Sequence, residues 1–182
     1  YAVASYGKDV QSVLTVYSRN GKEKFTWNFS DERVTDIDLS PNGKYVAVAA
    51  VNAKNGEMSS KLYVFNLSKT DNYISCFDYS GTTLLRVNYI KGNNIVAVGD
   101  NLKSYIKNNT DRQDDLNFNS DKLHNYCVTQ DGSSILALSK YGSSSLSSLT
   151  FYNNRNKERF NVDFDKEIRG VDTDGKYIAV LF

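Results

Sequence analysis

Two octapeptides, PNGKYVAV at 41–48 and TDGKYIAV at 173–180, are nearly identical although they lie 132 residues apart. Their core, an alanine followed by an aliphatic residue, recurs as Ala2-Val3, Ala47-Val48, Ala97-Val98, Ala137-Leu138 and Ala179-Val180. Successive copies are 45, 50, 40 and 42 residues apart. A period of roughly 40–50 residues is typical of chains built from stacked supersecondary units. The sequence therefore predicts a repeat protein.

Four short segments, which we call strands a to d, make up each predicted repeat. Strand a ends in a tight turn such as Asn42-Gly43 or Asp174-Gly175, where glycine readily adopts a positive φ. Strand b carries the Ala-Val pattern and is continuously apolar, as expected of a strand buried on both faces. Strand d alternates, as in Phe25, Trp27 and Phe29, which fits an outer strand with one face in water. No segment has a 3.6-residue apolar period, so helix content should be close to nil.

The strand count predicts an incomplete ring of sheets. The chain supplies strands b, c and d of one unit, three full units, and strands a and b of a fifth, at approximately 1–29, 33–78, 84–119, 123–164 and 168–182. A four-stranded sheet with a partly polar inner strand, an apolar middle and a half-exposed rim is typical of a propeller blade. We therefore predict an all-β fold, a β-propeller fragment of about four four-stranded blades, in which residues 1–182 are a single domain or part of a larger propeller. Its open edge strands predict self-association.

The hairpin LTVYSRNGKEKFTWNF (14–29) and the PNGKYVAV turn resemble the repeats of WD40-like and quinoprotein-like propellers. More narrowly, the chain is similar to an uncharacterised propeller-like family of Gram-positive bacteria, and the resemblance covers essentially all 182 residues. Members of that family follow a short cytoplasmic tail and one membrane span. The resemblance thus implies a membrane-anchored, bacterial, extracellular module on the extracytoplasmic side of the cell envelope.

The charge distribution argues against several classes of partner. The 22 basic and 21 acidic residues are scattered and give a net charge of +1, so no nucleic-acid footprint is expected. The chain contains no apolar run of 18 residues, and a membrane contact would need a segment outside this sequence. The quinoprotein-like repeat occurs in one imperfect copy, with Gly21-Lys22 followed by Phe25 and with Trp27 as the only tryptophan, and no phosphate-binding glycine motif is present, so we expect no cofactor.

Histidine and cysteine are too few for most metal or nucleophilic sites. The chain has one histidine, His124, and two cysteines, Cys76 and Cys127, without a Cys-x-x-Cys motif, so we expect no metal site and two free thiols. Any histidine-assisted nucleophile would have to use His124. Cys127 lies three residues from His124 and therefore on the opposite face of a strand. We accordingly assign no catalytic residue.

Two alternatives for function stay open. The leading one is a non-enzymatic interaction or scaffold module that binds a protein or another cell-envelope component. Its binding residues are expected in the long b–c connections at 49–60 and 139–147, with Lys54, Glu57 and Tyr141 as candidates. The alternative is a propeller enzyme, or a cofactor- or glycan-binding protein, with its site in the central channel. The polar residues of the inner strands would form that site: Asp36, Asp38, Arg86 and Arg169.

Overall fold

The computed structural model describes residues 1–54, 56–69, 71–139 and 146–182, with only the backbone at residue 54. In these residues the 3₁₀ turn Lys91–Asn93 is the only helical element, and the rest of the regular structure is β-strand, as predicted. The strands are β1 Ala2–Ser5, β2 Ser12–Tyr17, β3 Glu23–Phe29, β4 Arg33–Leu39, β5 Tyr45–Lys54, β6 Glu57–Asn66, β7 Tyr73–Ser80, β8 Leu84–Ile90, β9 Asn94–Gly99, β10 Leu102–Lys107, β11 Asp111–Arg112, β12 Leu116–Asn117, β13 Lys122–Val128, β14 Ser134–Ser139, β15 Ser147–Tyr152, β16 Glu158–Phe164, β17 Gly170–Thr173 and β18 Ile178–Leu181. No helix in the described ranges is long and apolar enough to cross a membrane.

Consecutive strands pair antiparallel into five sheets. Sheet 1 contains β1-β2-β3, sheet 2 β4-β5-β6-β7, sheet 3 β8-β9-β10-β11, sheet 4 β13-β14-β15-β16 and sheet 5 β17-β18, while the short β12 also pairs with β10. This succession corresponds to strands b-c-d, three sets of a-b-c-d, and a-b. The prediction of an all-β fold made of four-stranded units is therefore confirmed.

The residues divide into two compact units. Unit 1 comprises Tyr1–Gly99 and Ser104–Gln113, and unit 2 comprises Asp100–Lys103 and Asp114–Phe182. The core of unit 1 lies between sheets 1 and 2 and contains Leu14, Val16, Phe25, Phe29, Val46, Val48, Ala50, Tyr63 and Phe65. One core of unit 2 lies between sheets 4 and 5 and contains Ile135, Ala137, Leu149 and Ile168. The prediction that residues 1–182 form one domain or part of a larger propeller stays a prediction.

The strands b of sheets 2, 3 and 4, which are β5, β9 and β14, are largely buried, as their composition predicts, whereas the strands b of sheets 1 and 5, β1 and β18, are mostly exposed. Every residue from Val46 to Ala50 in β5 is fully buried. Alanine at alternate positions leaves room for a neighbouring sheet to approach closely, and valine fills the remaining space. The preceding turn closes with a bond from the Gly43 amide to the Ser40 carbonyl, and Gly43 has a φ of +66°. This φ explains why glycine occupies the turn.

The fourth strand of sheet 3 differs from the prediction. The predicted unit 84–119 was expected to end in one strand d, but two short strands, β11 and β12, pair with opposite ends of β10. Asn108 and Asn109 both have a positive φ, which reverses the chain directly after β10. Asp111 and Arg112 therefore form β11.

Candidate functional site

The aspartates of β4, predicted as channel residues, bind the backbone of the neighbouring sheet. Asp36 Oδ2 accepts a hydrogen bond from the Val87 amide at 2.9 Å, and Asp38 Oδ2 accepts one from the Tyr89 amide at 2.7 Å. Burial is the largest influence on the Asp38 carboxyl and raises its pKa, although these amide bonds act in the opposite direction. Each carboxylate thus uses one of its two oxygens to join sheet 2 to sheet 3.

The two arginines of the predicted channel site are mostly in solvent. Arg86 Nη1 lies 3.4 Å from Asp36 Oδ1, and its side chain is 61% exposed. Arg169 belongs to unit 2, where its Nε lies 3.9 Å from Glu167 Oε2. The structure therefore brings Asp36, Asp38 and Arg86 together in unit 1 and gives Arg169 a different set of neighbours in unit 2.

Unit 2 repeats the same strand-to-strand contact with other side chains. Asn125 Oδ1 of β13 accepts a hydrogen bond from the Val171 amide of β17 at 3.2 Å. Two residues further along, Cys127 Sγ donates to Asp172 Oδ1 at 3.8 Å, and burial raises the pKa of the Cys127 thiol. Cys127 and Cys76 are both free, as expected. Asp36 and Asn125 therefore have equivalent structural roles.

Three buried serines form a contact that the sequence reading missed. Each lies at or near the start of a strand c and accepts a hydrogen bond from an amide within two residues of the start of the next sheet: Ser12 from Val34 at 3.0 Å, Ser60 from Leu84 at 2.9 Å and Ser147 from Ile168 at 3.3 Å. All three are at most 3% exposed. These serines share the pattern Ser-x-Leu at 12–14, 60–62 and 147–149, but the pattern also occurs at 134–136 and 144–146, so it would not have singled them out.

The predicted b–c loop at 49–60 is a β-hairpin instead, so the loop prediction was wrong. Strands β5 and β6 each extend over ten residues, and their pairing continues to Lys54 opposite Glu57. The backbone hydrogen bonds along this extension satisfy groups that a loop would leave to water. We call residues 52–54 and 56–59, which lie beyond the pairing of β5 with β4 and beyond the buried Ser60, the finger. It presents Met58 with 43% of its surface exposed.

Polar and aromatic side chains surround the base of the finger. Glu32 Oε1 accepts hydrogen bonds from Lys61 Nζ at 3.1 Å and from Tyr63 Oη at 3.0 Å. The bond to Glu32 is the main reason that the pKa of Lys61 is raised, while burial is the main reason for the raised pKa of Tyr63. Nearby, the Arg33 guanidinium lies 4.5 Å from the centre of the Tyr6 ring. Glu32, directly before β4, thus links the base of the finger in β6 to the start of β4.

His124 has partners in unit 2 that its sequence neighbours did not reveal. Its Nε2 lies 2.9 Å from Ser139 Oγ, and its Nδ1 lies 3.7 Å from Glu167 Oε1. A bulge between Leu123 and Asn125 produces this arrangement, because it turns His124 toward the end of β14. Tyr141, the other predicted residue of this region, lies outside the described residues.

Lys103 in unit 2 is fully buried, which is rare for a lysine. Its Nζ donates a hydrogen bond to Ser134 Oγ at 2.8 Å. Burial lowers the pKa of Lys103 to about 8, although Asp131 acts in the opposite direction. Hydrogen bonds from Thr129 and Ser133 lower the pKa of Asp131 and keep it negative. Residue type alone does not signal this buried cation, since Lys103 follows an apolar residue in a strand c of mixed polar and apolar residues.

Two adjoining clefts in unit 1 are lined by residues other than the predicted site residues. They have volumes of about 460 and 350 Å³ and share Ser18 and Lys24, at the turn between β2 and β3. Within the described ranges, no three histidine, cysteine, aspartate or glutamate side chains converge on one point as metal ligands would.

Comparison with known proteins identifies the family. A family model described as a family of unknown function, DUF5711, matches residues 1–181. The chain belongs to the DUF5711 family. No curated protein matches it.

Solved structures show which fold DUF5711 adopts in this chain. Raptor of Chaetomium thermophilum matches with a TM-score of 0.70 and 10% identity, over 93% of this chain and 15% of that chain. The β-propeller domain of Cps50 (Swd1) of Myceliophteria thermophila matches with a TM-score of 0.64 and 9% identity, over 98% and 62%. The Pan2 WD40 domain of Neurospora crassa matches with a TM-score of 0.57 and 9% identity, over 93% and 53%. The chain thus has a WD40-like propeller fold and spans less than two thirds of each of these structures.

Proposed function

We propose that this DUF5711 chain is a propeller module that binds a protein partner at the finger, and that binding rather than catalysis is its role. The observation that carries the proposal is the finger itself. Other b–c hairpins in the described residues end after about six residues per strand, as β9 and β10 do, whereas β5 and β6 have ten each. An extension that adds nothing to the buried cores suits an exposed contact surface.

The side chains at the finger end of unit 1 are those expected in a protein interface. Strand a of each sheet begins at the end where strand b finishes, so Arg33, Leu85 and Arg86 lie at the same end as the finger. Tyr6 is 72% exposed, and Met58 and Leu85 are 43% and 40% exposed. Tyrosine, arginine and methionine are enriched in protein interfaces, where tyrosine and arginine often supply much of the binding energy. A protein surface is therefore the partner class that this composition favours.

The hydrogen bonds of the inner strands support binding over a catalytic channel site. Asp36 and Asp38 already accept amide hydrogen bonds from β8, and Asn125 accepts one from β17. A carboxylate that is needed to hold two sheets together is poorly suited to act as a general base. The inner strands thus have a structural explanation that requires no substrate.

Photo-crosslinking tests the finger directly. A photoreactive amino acid at Met58 should crosslink one protein in the source cells, whereas the same group at the exposed Ile74 should not. The purified partner should lose at least about ten-fold in affinity for Met58→Asp, as expected when a charge enters a desolvated contact. A second variant replaces the finger by the two-residue connection of β9 and β10. Equal crosslinking at both positions, or unchanged affinity in both variants, would contradict the proposal.

The compartment is part of the same proposal and rests on resemblance alone. We place the module at the cell envelope, on the extracytoplasmic side of a single-span membrane protein, where another envelope component is an alternative partner. Protease added to intact cells should then cleave the module as rapidly as it does in lysed cells. Protection in intact cells together with cleavage after lysis would refute this location.

An enzymatic role is the second candidate, and one observation favours it. Ser139 Oγ lies 2.9 Å from His124 Nε2, and Glu167 Oε1 lies 3.7 Å from His124 Nδ1. This is the order of a nucleophile, a base and an orienting acid. An enzyme of this type would label at Ser139 with a fluorophosphonate and hydrolyse p-nitrophenyl acetate. Ser139→Ala and His124→Gln should abolish both signals, and Ser5→Ala should change neither. Absence of labelling in the wild type would exclude this role.

The channel alternative and self-association each have their own test. Sugars, calcium or quinone cofactors should raise the melting temperature if Asp36, Asp38, Arg86 or Arg169 bind them, and Arg86→Ala should remove the shift.

Self-association would occur through β1 and β18, whose outer edges carry no partner strand in the five sheets. Light scattering of the isolated chain should then show a mass that rises with concentration. A constant monomer mass would count against it.

A further inference from the structure

Basic residues that are scattered in the sequence gather at one end of unit 1. The turn between β2 and β3 and the start of β3 carry Arg19, Lys22 and Lys24, which are all exposed. In the described part of the chain, no carboxylate forms an ion pair with any of the three. Glu23, the acidic residue among them, accepts a hydrogen bond from Thr26 Oγ1 at 2.9 Å. This end of sheet 1 therefore presents three cationic groups to solvent.

The backbone of the turn makes its own hydrogen bonds. The Ser18 amide donates to the Lys22 carbonyl at 2.8 Å, and the Gly21 amide donates to the Ser18 carbonyl at 3.0 Å. The Lys22 amide donates in turn to Ser18 Oγ at 3.1 Å. Gly21 has a φ of +79°, which lets the chain reverse within these few residues. The turn is thus held by its backbone and by Ser18, and the charged side-chain ends are not needed to form it.

A β-bulge decides where Lys24 lies. The register between β2 and β3 shifts directly after Val16, which makes Lys24 the extra residue of the bulge. Regular alternation would place Lys24 on the face of sheet 1 opposite to Phe25. The bulge instead lets Lys24 line a space beside Leu39 and Leu67 of sheet 2. The third cation therefore borders the space between sheets 1 and 2.

That space is a cleft with a charged part and a more apolar part. The charged part has a volume of about 460 Å³ and is lined by Ser18, Arg19, Asn20, Lys22 and Lys24. The second part, of about 350 Å³, continues from Lys24 along Tyr17, Leu39 and Leu67. We call the two parts together the basic cleft. A ligand that fills both parts has an anionic group and an attached ring or apolar group.

We propose that the basic cleft binds a phosphate monoester, with the phosphate at Arg19, Lys22 and Lys24 and the organic group along Tyr17 and Leu67. Three cations suit a phosphate, with its charge of about −1.5 to −2, better than a carboxylate with its single charge. An arginine also donates to two phosphate oxygens at once. Strands c begin at the finger end, so the basic cleft lies at the other end of sheets 1 and 2, and the proposal does not depend on the finger.

The turn between β15 and β16 offers a matched control. Its sequence, YNNRNKERF at 152–160, resembles YSRNGKEKF at 17–25. Both turns close with the same backbone hydrogen bonds, and the same bulge makes Arg159 the equivalent of Lys24. Leu67 follows strand c of sheet 2, whereas sheet 5 consists of β17 and β18 in the described chain and has no counterpart of Leu67 there. Charge and turn geometry are thus repeated without the apolar part of the cleft.

Phenyl phosphate and inorganic phosphate are the probes, added to the full chain at low ionic strength while amide shifts are followed by NMR. Phenyl phosphate should shift the amides of Gly21, Lys22 and Gly43. It should bind at least about five-fold more tightly than inorganic phosphate, because its ring occupies the apolar part. Benzyl alcohol, which has the ring without the charge, should leave these amides unchanged. Absence of binding by phenyl phosphate would overturn the proposal.

Exposed charges are then removed at the cleft and in the control turn. Lys22→Gln/Lys24→Gln should weaken binding of phenyl phosphate at least about ten-fold. Lys157→Gln/Arg159→Gln removes the same charge and should weaken it by less than about two-fold. Leu67→Ser should reduce the affinity for phenyl phosphate toward that for inorganic phosphate. Equal weakening in the two double variants would overturn the proposal, because net charge alone would then explain the binding.

Phosphate monoesters occur both in soluble compounds and in lipid head groups. Sedimentation with phosphatidylcholine vesicles, prepared with and without phosphatidic acid, separates these two sources. Sedimentation that requires phosphatidic acid and is lost in Lys22→Gln/Lys24→Gln would identify a lipid head group as the ligand. Binding of phenyl phosphate without sedimentation would identify a soluble ester. Sedimentation that the cleft variant and the control variant lose equally would count against the basic cleft as the site.

Discussion

Strands β3 and β16 share the same alternation of apolar and polar residues, KFTWNF and RFNVDF, and yet the apolar face of β3 is mostly buried while Phe160 and Val162 of β16 are exposed. The pairing within each sheet is the same, and so is the serine contact to the next sheet. The difference comes from two strands, β6 and β7, that cover β3 and have no counterpart over β16 in the part of the chain that the structure describes. An apolar residue in a repeat protein therefore becomes core only when the neighbouring repeat is complete.

Removing a ring from the covered strand should have the largest effect. Phe25→Ala should lower the free energy of unfolding by about 3–5 kcal/mol, because it opens a cavity between sheets 1 and 2. The equivalent change in the open strand, Phe160→Ala, should cost about 1 kcal/mol or less, since that side chain already touches water. Urea denaturation of both variants measures the difference. Equal losses would show that the two faces are not packed differently.

The buried lysine should give the next largest effect, and it depends on pH. The pKa of Lys103 falls from 10.5 in the unfolded chain to about 8 in the folded one, so the folded state binds fewer protons between these values. Stability should therefore rise as pH increases from about 8 toward 10.5, whereas below pH 8 the full cost of burying the charge is present. Lys103→Met should stabilise the protein by about 1–3 kcal/mol at pH 7.

The pH slope provides the control for Lys103. The difference in unfolding free energy between Lys103→Met and the wild type should shrink between pH 8 and pH 9.5, because only the wild type takes up this proton when it unfolds. Taking the difference cancels the titration of groups that both proteins share, including the tyrosines. A difference that stays constant across this range would show that Lys103 is not desolvated as the structure has it.

Loss of a serine contact should lower stability by a smaller amount, and by the same amount in sheet 1 as in sheet 4. Ser12→Ala and Ser147→Ala each leave one buried amide without an acceptor, which costs about 1–2 kcal/mol. Because each contact lies within two residues of the start of its next sheet, the two losses should agree although the strands d differ. Thermal unfolding of both variants measures this. A loss confined to Ser12→Ala would indicate that sheet 5 is not docked as the hydrogen bond implies.

The fold could be predicted from the sequence because its signals are local. Gly43 and Gly175 mark turns, the continuous apolar runs mark the b strands, and the spacing of Ala-Val pairs gives the repeat. The finger could not be predicted, since AVNAK reads equally well as a loop or as a strand with one exposed face. The fourth strand of sheet 3 was misplaced because the positive φ of Asn108 and Asn109 is a tertiary outcome.

The candidate sites were less predictable because bulges decide them. The mixture of polar and apolar residues in β4 led us to predict that Asp36 lines a channel. The bulge between Val34 and Asp36 instead aligns this carboxylate with the Val87 amide. The corresponding bulge in β13 turns His124 toward Ser139, and no residue type in HNYCV signals it. The assignments of Lys54, Glu57 and Tyr141 to a binding surface stay predictions.

The comparison of β3 with β16 has one direct test, because Trp27 is the only tryptophan of the chain. Acrylamide quenching of the wild type reports on the covered face, and the double variant Trp27→Phe/Val162→Trp places the same reporter at the equivalent open position. We predict that quenching in the double variant is several-fold more efficient than in the wild type. Equal quenching in the two proteins would contradict the claim that a completed neighbouring sheet is what buries a strand d.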